Sequence, residues 1–258
     1  MNFEIVAGDA SSPFVIHVPH SSVTIPDDVR AQLQLDDDAL AEELRLLTDA
    51  HTDELAILAA GQVTPRPWLC VNRLSRLVVD PERLPDDHEV MFEVGMGTVY
   101  TRTSGGLMLR DDDEQAREAL LSRYLTPYAE AMADLVDERI AATGQAIVLD
   151  FHSYSPRALP YERYQDARRP PVCVGVDFDH TPAALVERVS VACSVLGEVV
   201  VNEPFVGTYI PLRHFGRNNF VTSVMMEIRR DMYVREDGSL DPEGTSRVLE
   251  ALVTILEG

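Results

Sequence analysis

Lysine is absent from this 258-residue chain; all 22 basic side chains are arginine. Without it there is no Schiff-base amine, no P-loop lysine and no Ser-Lys dyad. Positive charge is scarce altogether, because 43 acidic residues leave a formal net charge of −21. That balance excludes a nucleic-acid binder, which needs clustered Arg and Lys for phosphate, and argues against docking on an anionic membrane. Cysteine is limited to Cys70, Cys173 and Cys193, an odd number at wide spacing. The three read as free thiols in a reducing compartment, with no disulfide framework and no CxxC metal knuckle. No apolar run approaches the ~18 residues of a bilayer span. Met1-Asn2-Phe3-Glu4 has neither the positive nor the apolar region of an export signal, so the expected location is cytoplasmic. What is present, 45% apolar and 25% charged residues, is a globular composition at a length suited to one large domain.

Short β-branched runs alternate with longer helical patterns. Phe14-Val15-Ile16-His17-Val18 reads as a buried strand stopped by Pro19. Residues 38–60, rich in Ala, Leu and Glu, predict a helix ending at Gly61. Trp68-Leu69-Cys70-Val71 and Leu77-Val78-Val79 read as strands or extended segments, and residues 86–106 as a long loop. A helical pattern opens at Asp111-Asp112-Asp113, where acids suit a helix N-terminus, and runs to Thr143 before Gly144. Residues 146–151 form the clearest buried strand; further strands are expected at 172–176, 199–201 and 223–228, with helices near 182–196 and 242–256. No repeat or linker divides the chain, so residues 1–258 are expected to form a single domain. Apolar strand interiors separated by helices predict an α/β fold around a largely parallel central sheet. Ligands of such sheets bind beyond the carboxyl ends of the strands.

Three strands finish on residues that bind metals or move protons. The first runs into His20-Ser21-Ser22, the second ends Asp150-Phe151-His152-Ser153, and the third carries Glu227 ahead of Arg229 and Arg230. Catalytic zinc uses three protein ligands and one open position, so two imidazoles leave one ligand to find. The block Thr48-Asp49-Ala50-His51-Thr52-Asp53-Glu54-Leu55 supplies candidates. On a helix Asp49 and Asp53 share a face, as do His51 and Glu54, and spacing alone does not choose. Each residue also has a structural alternative. A His after a strand can cap or pack, Asp150 can support His152 or form a strand-end turn, and Glu227 can pair with Arg229 or Arg230.

The motifs as a series are more telling than any one of them. Val18-Pro19-His20-Ser21, the 48–55 block, and Asn72-Arg73-Leu74-Ser75-Arg76-Leu77-Val78-Val79-Asp80-Pro81-Glu82-Arg83 are followed by residues 95–106 and Asp150-Phe151-His152-Ser153. Asn202-Glu203-Pro204-Phe205-Val206-Gly207, Arg213-His214-Phe215-Gly216 and Glu227-Ile228-Arg229-Arg230-Asp231 complete the series. In this order, along nearly the whole chain, the sequence resembles the N-formylglutamate amidohydrolase family.

The resemblance implies a three-layer, phosphorylase/hydrolase-like α/β domain with a mostly parallel, mixed sheet, similar to zinc carboxypeptidases and to zinc amidases that cleave peptidoglycan. It implies one Zn2+ per chain on His20, Asp49 and His152, with Glu54 the alternative carboxylate; other divalent metals suit the same ligands. Glu227 is the expected catalytic carboxylate. Asp150, His51 and Glu54 are expected just behind the ligands, and His51 or His214 could also serve as an oxyanion donor or proton relay. Arg76 and Arg83 are the first choices for a substrate carboxylate, followed by Arg73, Arg213 and Arg229, with His214 also on the substrate side. His17, His88 and His180 receive no role, and Thr98, Ser104, Gly105 and Gly106 sit in a loop that could cover the site.

The expected partner is a small acidic molecule, and the expected reaction is hydrolysis of an N-acyl amino acid, foremost N-formyl-L-glutamate to formate and glutamate. Two departures from the family pattern bear on the substrate. Glu82 stands where an amide is usual, and Ala129 follows Pro127-Tyr128 where a His is common. They bring another N-acyl or peptide-like amide into consideration. A catalytically silent protein that binds acidic ligands is the non-enzymatic alternative. Nothing in the sequence sets the oligomeric state.

Overall fold

Strands buried on both faces need cover on both, and the chain supplies it with helices. The computed structural model describes residues 2–85 and 89–257. In chain order the elements are β1 (Phe3–Val6), β2 (Phe14–Val18), α1 (Asp27–Arg30), α2 (Asp37–Leu47), α3 (Thr52–Ala60), β3 (Trp68–Asn72), α4 (Glu114–Leu120) and α5 (Thr126–Thr143). They continue with β4 (Ala146–Tyr154), β5 (Val172–Gly175), α6 (Ala183–Cys193), β6 (Val199–Val201), β7 (Val221–Arg229) and α7 (Pro242–Glu257). The seven strands form one mixed sheet in the order β1-β3-β2-β4-β7-β5-β6. The central β3, β2, β4 and β7 run parallel; β1 is antiparallel to β3, and the parallel pair β5 and β6 is antiparallel to β7. The expected α/β class with a mostly parallel, mixed sheet is therefore what the chain adopts.

Strand alternation sorts the core. Phe14, Ile16 and Val18 of β2, Leu149 and Phe151 of β4, and Val224, Met226 and Ile228 of β7 pack with α3, α6 and α7. The opposite face carries Val15, Val148, Ala146 and Val221, covered by Tyr128, Met132, Leu135 and Val136 of α5. On that second face the side chains change character along each strand. Val15 gives way to His17, Val148 to Asp150 and His152, and Met225 to Glu227. Val15, Val148 and Val221 meet α5, whereas Met225 lines the cavity with the polar halves, which gather at the carboxyl end of the sheet.

Several local expectations change. Residues 38–60 are two helices, broken at Thr48–His51, where Thr48 is extended and His51 takes a left-handed φ of 64°. The break places Asp49 in a turn. Leu77-Val78-Val79 is a turn rather than a strand: Ser75 bonds the Leu77 and Val78 N–H groups, through its hydroxyl and its carbonyl, and the apolar side chains are buried against other loops. The long helical pattern is interrupted by a π-type turn at Leu121–Leu125, directly before Pro127, whose ring nitrogen has no hydrogen to give. β1 escapes the sequence reading because it is a four-residue edge strand. The loop read at 86–106 contains a 3-10 turn at Val90–Val94, and its residues 86–88, His88 included, lie outside the described residues. Among the described residues, no helix is long and apolar enough to cross a membrane.

Candidate active site

Two features of the backbone bring the polar residues together. His20 follows the end of β2, and its carbonyl accepts a bond from the Asp49 N–H (3.0 Å), so the turn after α2 is tied to the strand end. In the parallel pairing of β4 with β7, His152 stands directly opposite Glu227. His20, Asp49, His152 and Glu227 thus line one cavity of about 310 Å³, joined by Glu82, Asp150 and the arginines 76, 83, 169 and 230.

The donor atoms are arranged for a cation. Asp49 Oδ2 lies 3.0 Å from His152 Nδ1 and 3.7 Å from His20 Nδ1. Ligand atoms around a tetrahedral zinc are about 3.3 Å apart, between these two values. Each imidazole is backed by a carboxylate on its other nitrogen: His20 Nε2 meets Asp80 Oδ1 at 2.9 Å, and His152 Nε2 meets Asp150 Oδ1 at 3.0 Å. A carboxylate only accepts, so these contacts put a proton on each Nε2; in a neutral ring that leaves Nδ1 as the lone pair. His20 Nδ1 is buried and has no hydrogen-bond partner among the described residues. His152 faces carboxylates through both nitrogens, which requires either a second proton or a cation at Nδ1. On these grounds the residues fit a divalent metal.

Titration follows the same imbalance. Burial works against a charged His152, yet Glu82 and Asp150 push it well above the ordinary imidazole value. Burial and Arg76 oppose the charging of His20, while Asp80 and Asp49 raise it. Burial alone would raise Asp80, but Arg76 and His20 hold it well below the usual carboxylate range. Glu227 goes the other way: burial, reinforced by Asp49 and Glu82 against the pull of His152, pushes it up to about 8. Its Oε2 has no hydrogen-bond partner among the described residues, and no ion pair joins it to Arg229 or Arg230.

The remaining sequence candidates divide cleanly. Arg76 and Arg83 line the cavity, and Asp150 supports His152. Arg76 gives Nε and Nη2 to Asp80 (3.1 and 2.7 Å), whereas Arg83 lies 3.6 Å from Asp80 with its buried Nε unbonded among the described residues. Arg73 is paired with Glu4 and Asp53, Arg213 with Asp134 and Asp137, and Arg229 with Asp231, all outside the cavity. His214 contacts Asp137 and Asn218. His51 donates to the Gly238 carbonyl and lies 3.4 Å from the half-exposed Glu54, so neither reaches the two imidazoles. The loop with Ser104 is pinned to α2, where Glu43 accepts from the Ser104 N–H and hydroxyl.

Sequence reasoning missed Asp80, His17 and the cavity arginines 169 and 230, and gave Glu82 no place near the imidazoles. An available signal for His17 was the one that singled out Glu227, an ionisable residue inside an otherwise apolar strand. Glu82 Oε1 lies 3.1 Å from His152 Nε2, and Arg230 lies 3.7 Å from Asp49 while bonding Ser153.

Fold and donor set together define an α/β protein with a candidate metal-binding site at the carboxyl end of a mixed sheet. A sequence profile described as N-formylglutamate amidohydrolase matches residues 12–234, and the chain belongs to that family. It is accordingly a hydrolase acting on amides. The N-formylglutamate amidohydrolase of Ralstonia eutropha is similar in structure, with a TM-score of 0.82 at 20% identity over 98% of this chain and 95% of that one. A gene product of Agrobacterium tumefaciens aligns with a TM-score of 0.71 at 21% identity, over 98% of this chain and 92% of that one. At these identities the likeness is one of fold. No curated protein matches the sequence.

Proposed function

We propose that the chain, working as one domain, is a zinc-dependent amidohydrolase that cleaves a small N-acyl amino acid, with N-formyl-L-glutamate the leading substrate. The observation that carries this reading is the cluster of His20 Nδ1, Asp49 and His152 Nδ1 in one cavity with Glu227, whose Oε2 has no hydrogen-bond partner among the described residues. His20, Asp49 and His152 would hold the metal, which supplies a water of pKa near 7 and polarises the scissile carbonyl. Glu227 takes the proton of the attacking water and passes it to the leaving nitrogen. Buried opposite His152 and with no partner for its Oε2 among the described residues, this carboxyl is suited to holding that proton between the two transfers. Arg83, whose buried Nε is unbonded among the described residues, takes the substrate carboxylate; Arg76, committed to Asp80, fixes the wall behind it. Asp80 and Asp150 keep both imidazoles in the ligating tautomer.

A second reading, another N-acyl amino acid, draws on Glu82. Its carboxylate is part-exposed on the cavity wall, where it would disfavour a second acidic group unless Arg83 offsets it. A panel of N-formyl, N-acetyl and N-succinyl amino acids, acidic and neutral, tests both readings beside metal analysis. Turnover of N-formylglutamate well above the rest, with about one zinc per chain, supports the first. Preference for a neutral or longer acyl substrate supports the second. Ligand-induced stabilisation with no turnover of any member, zinc-loaded, would leave a binding protein.

A further inference from the structure

His17 has no part in the chemistry just described, yet it is fully buried near the carboxyl end of β2 and stands opposite Asp150 in the β2–β4 register. Its Nδ1 is 2.8 Å from Asp150 Oδ1, and its Nε2 is 2.6 Å from the Tyr128 hydroxyl. Donor rules assign the protons along this row. Asp150 as a carboxylate only accepts, so His17 carries its proton on Nδ1, just as His152 carries one on Nε2 towards the same oxygen. With Nδ1 as the donor, Nε2 is left to accept from the Tyr128 O–H. The other Asp150 oxygen accepts from the Tyr209 N–H (2.8 Å), so three N–H groups clamp one carboxylate. The His17 ring also stacks on Tyr209, with centroids 4.2 Å apart.

The row leads away from solvent. Tyr128 and Cys70 at its far end are both buried, so it offers no exit for a proton. What it can do is fix the orientation of Asp150, and Glu82 makes that necessary. Glu82 Oε1 lies 3.1 Å from the same His152 Nε2 and 3.7 Å from His17 Nδ1, a rival acceptor on a more exposed segment. Without His17, Asp150 loses one of its three donors and the His152 N–H can follow Glu82 instead.

We propose that His17 is a positioning residue: acting through Asp150, it holds His152 with its Nδ1 lone pair towards Asp49 and so sets how tightly the His20, Asp49 and His152 centre holds a metal. The inference rests on the metal reading given above. The test is Zn2+ affinity of the full chain by chelator competition, for wild type, His17→Leu, His17→Asn and Tyr128→Phe, with thermal unfolding of each metal-free protein. Asn keeps an N–H near the position of Nδ1, whereas Leu fills the space without a donor. Leu is expected to weaken zinc binding 10–100-fold, the range for lost outer-shell partners. Asn should restore most of that affinity although both variants unfold at similar temperatures, and Tyr128→Phe should show a smaller loss in the same direction. Wild-type affinity in the Leu variant, or equal losses with Leu and Asn, overturns the proposal. If the Leu variant does not fold, Tyr128→Phe decides, and unchanged affinity there overturns it. A wild-type chain that takes up no zinc refutes the metal reading and this inference with it, a result distinct from variants that bind as wild type does.

Discussion

Glu227 and His152 stand directly opposite each other on adjacent parallel strands, one with a carboxyl oxygen unbonded among the described residues and the other ringed by carboxylates. This register puts the carboxyl proposed to carry the proton beside the imidazole proposed to hold the metal. Glu227→Gln is therefore expected to lower kcat by ~10²–10⁴, the usual contribution of general acid–base catalysis, while metal content stays at the wild-type level. Elemental analysis beside steady-state kinetics checks this. Loss of metal in the variant would make Glu227 a ligand instead.

Arg83→Ala should raise KM for an acidic N-acyl amino acid by about 10–100-fold, the equivalent of a charged hydrogen bond of ~1.5–3 kcal/mol. The matching amide, such as an N-acylglutamine, should be little affected. A parallel rise for both substrates would remove Arg83 from the carboxylate site.

Arg76 has a different weight, because it neutralises Asp80, which has no exposure to solvent. Breaking a buried pair by deleting one partner costs ~3–5 kcal/mol, so Arg76→Ala should lower Tm by on the order of 10 °C. Thermal unfolding by circular dichroism gives the answer. A Tm within a degree or two of wild type would mean that Asp80 finds its compensation elsewhere.

Glu43 supplies a pH dependence away from the active site. Burial raises its carboxyl pKa above the ordinary value, and the bonds from Ser104 offset this only in part. Above the unfolded value of about 4.3 the folded chain therefore binds more protons here than the unfolded one, so stability falls as pH rises through the folded value. Glu43→Gln lacks this term. The Tm of the variant relative to wild type should rise between about pH 4 and neutrality. A difference that is flat in pH would contradict the assignment.

Cys70, Cys173 and Cys193 are all buried, and burial pushes each thiol up to about 12. The native protein should react with a disulfide reagent at neutral pH far more slowly than in denaturant, where three thiols per chain should titrate. Rapid labelling of the native chain would show that the core opens readily at one of them.

Several features were legible before any coordinates. Absence of Lys removed whole classes of chemistry, and apolar strand runs broken by helices specified an α/β sheet. Strand ends bring His20, His152 and Glu227 forward where such sheets bind ligands, whereas Asp49 is chosen within the 48–55 block only through the resemblance to the family. Other features depended on partners distant in sequence. Asp80 becomes the support of His20 only when a turn, read in sequence as a strand or extended segment, folds back across sixty residues. His17 acquires its neighbours from the register with β4 and from Tyr128 on a helix more than a hundred residues away. Arg73, Arg213 and Arg229 carry the residue type that suits a substrate carboxylate, but each is claimed by a local or cross-chain acid. Sequence by itself determined composition, strand periodicity and which residue types were available at the sheet's edge. Tertiary structure decided which carboxylate backs which imidazole and which cavity arginines are committed to an acid among the described residues, because hydrogen-bond partnership depends on distances of a few ångströms that chain spacing does not encode.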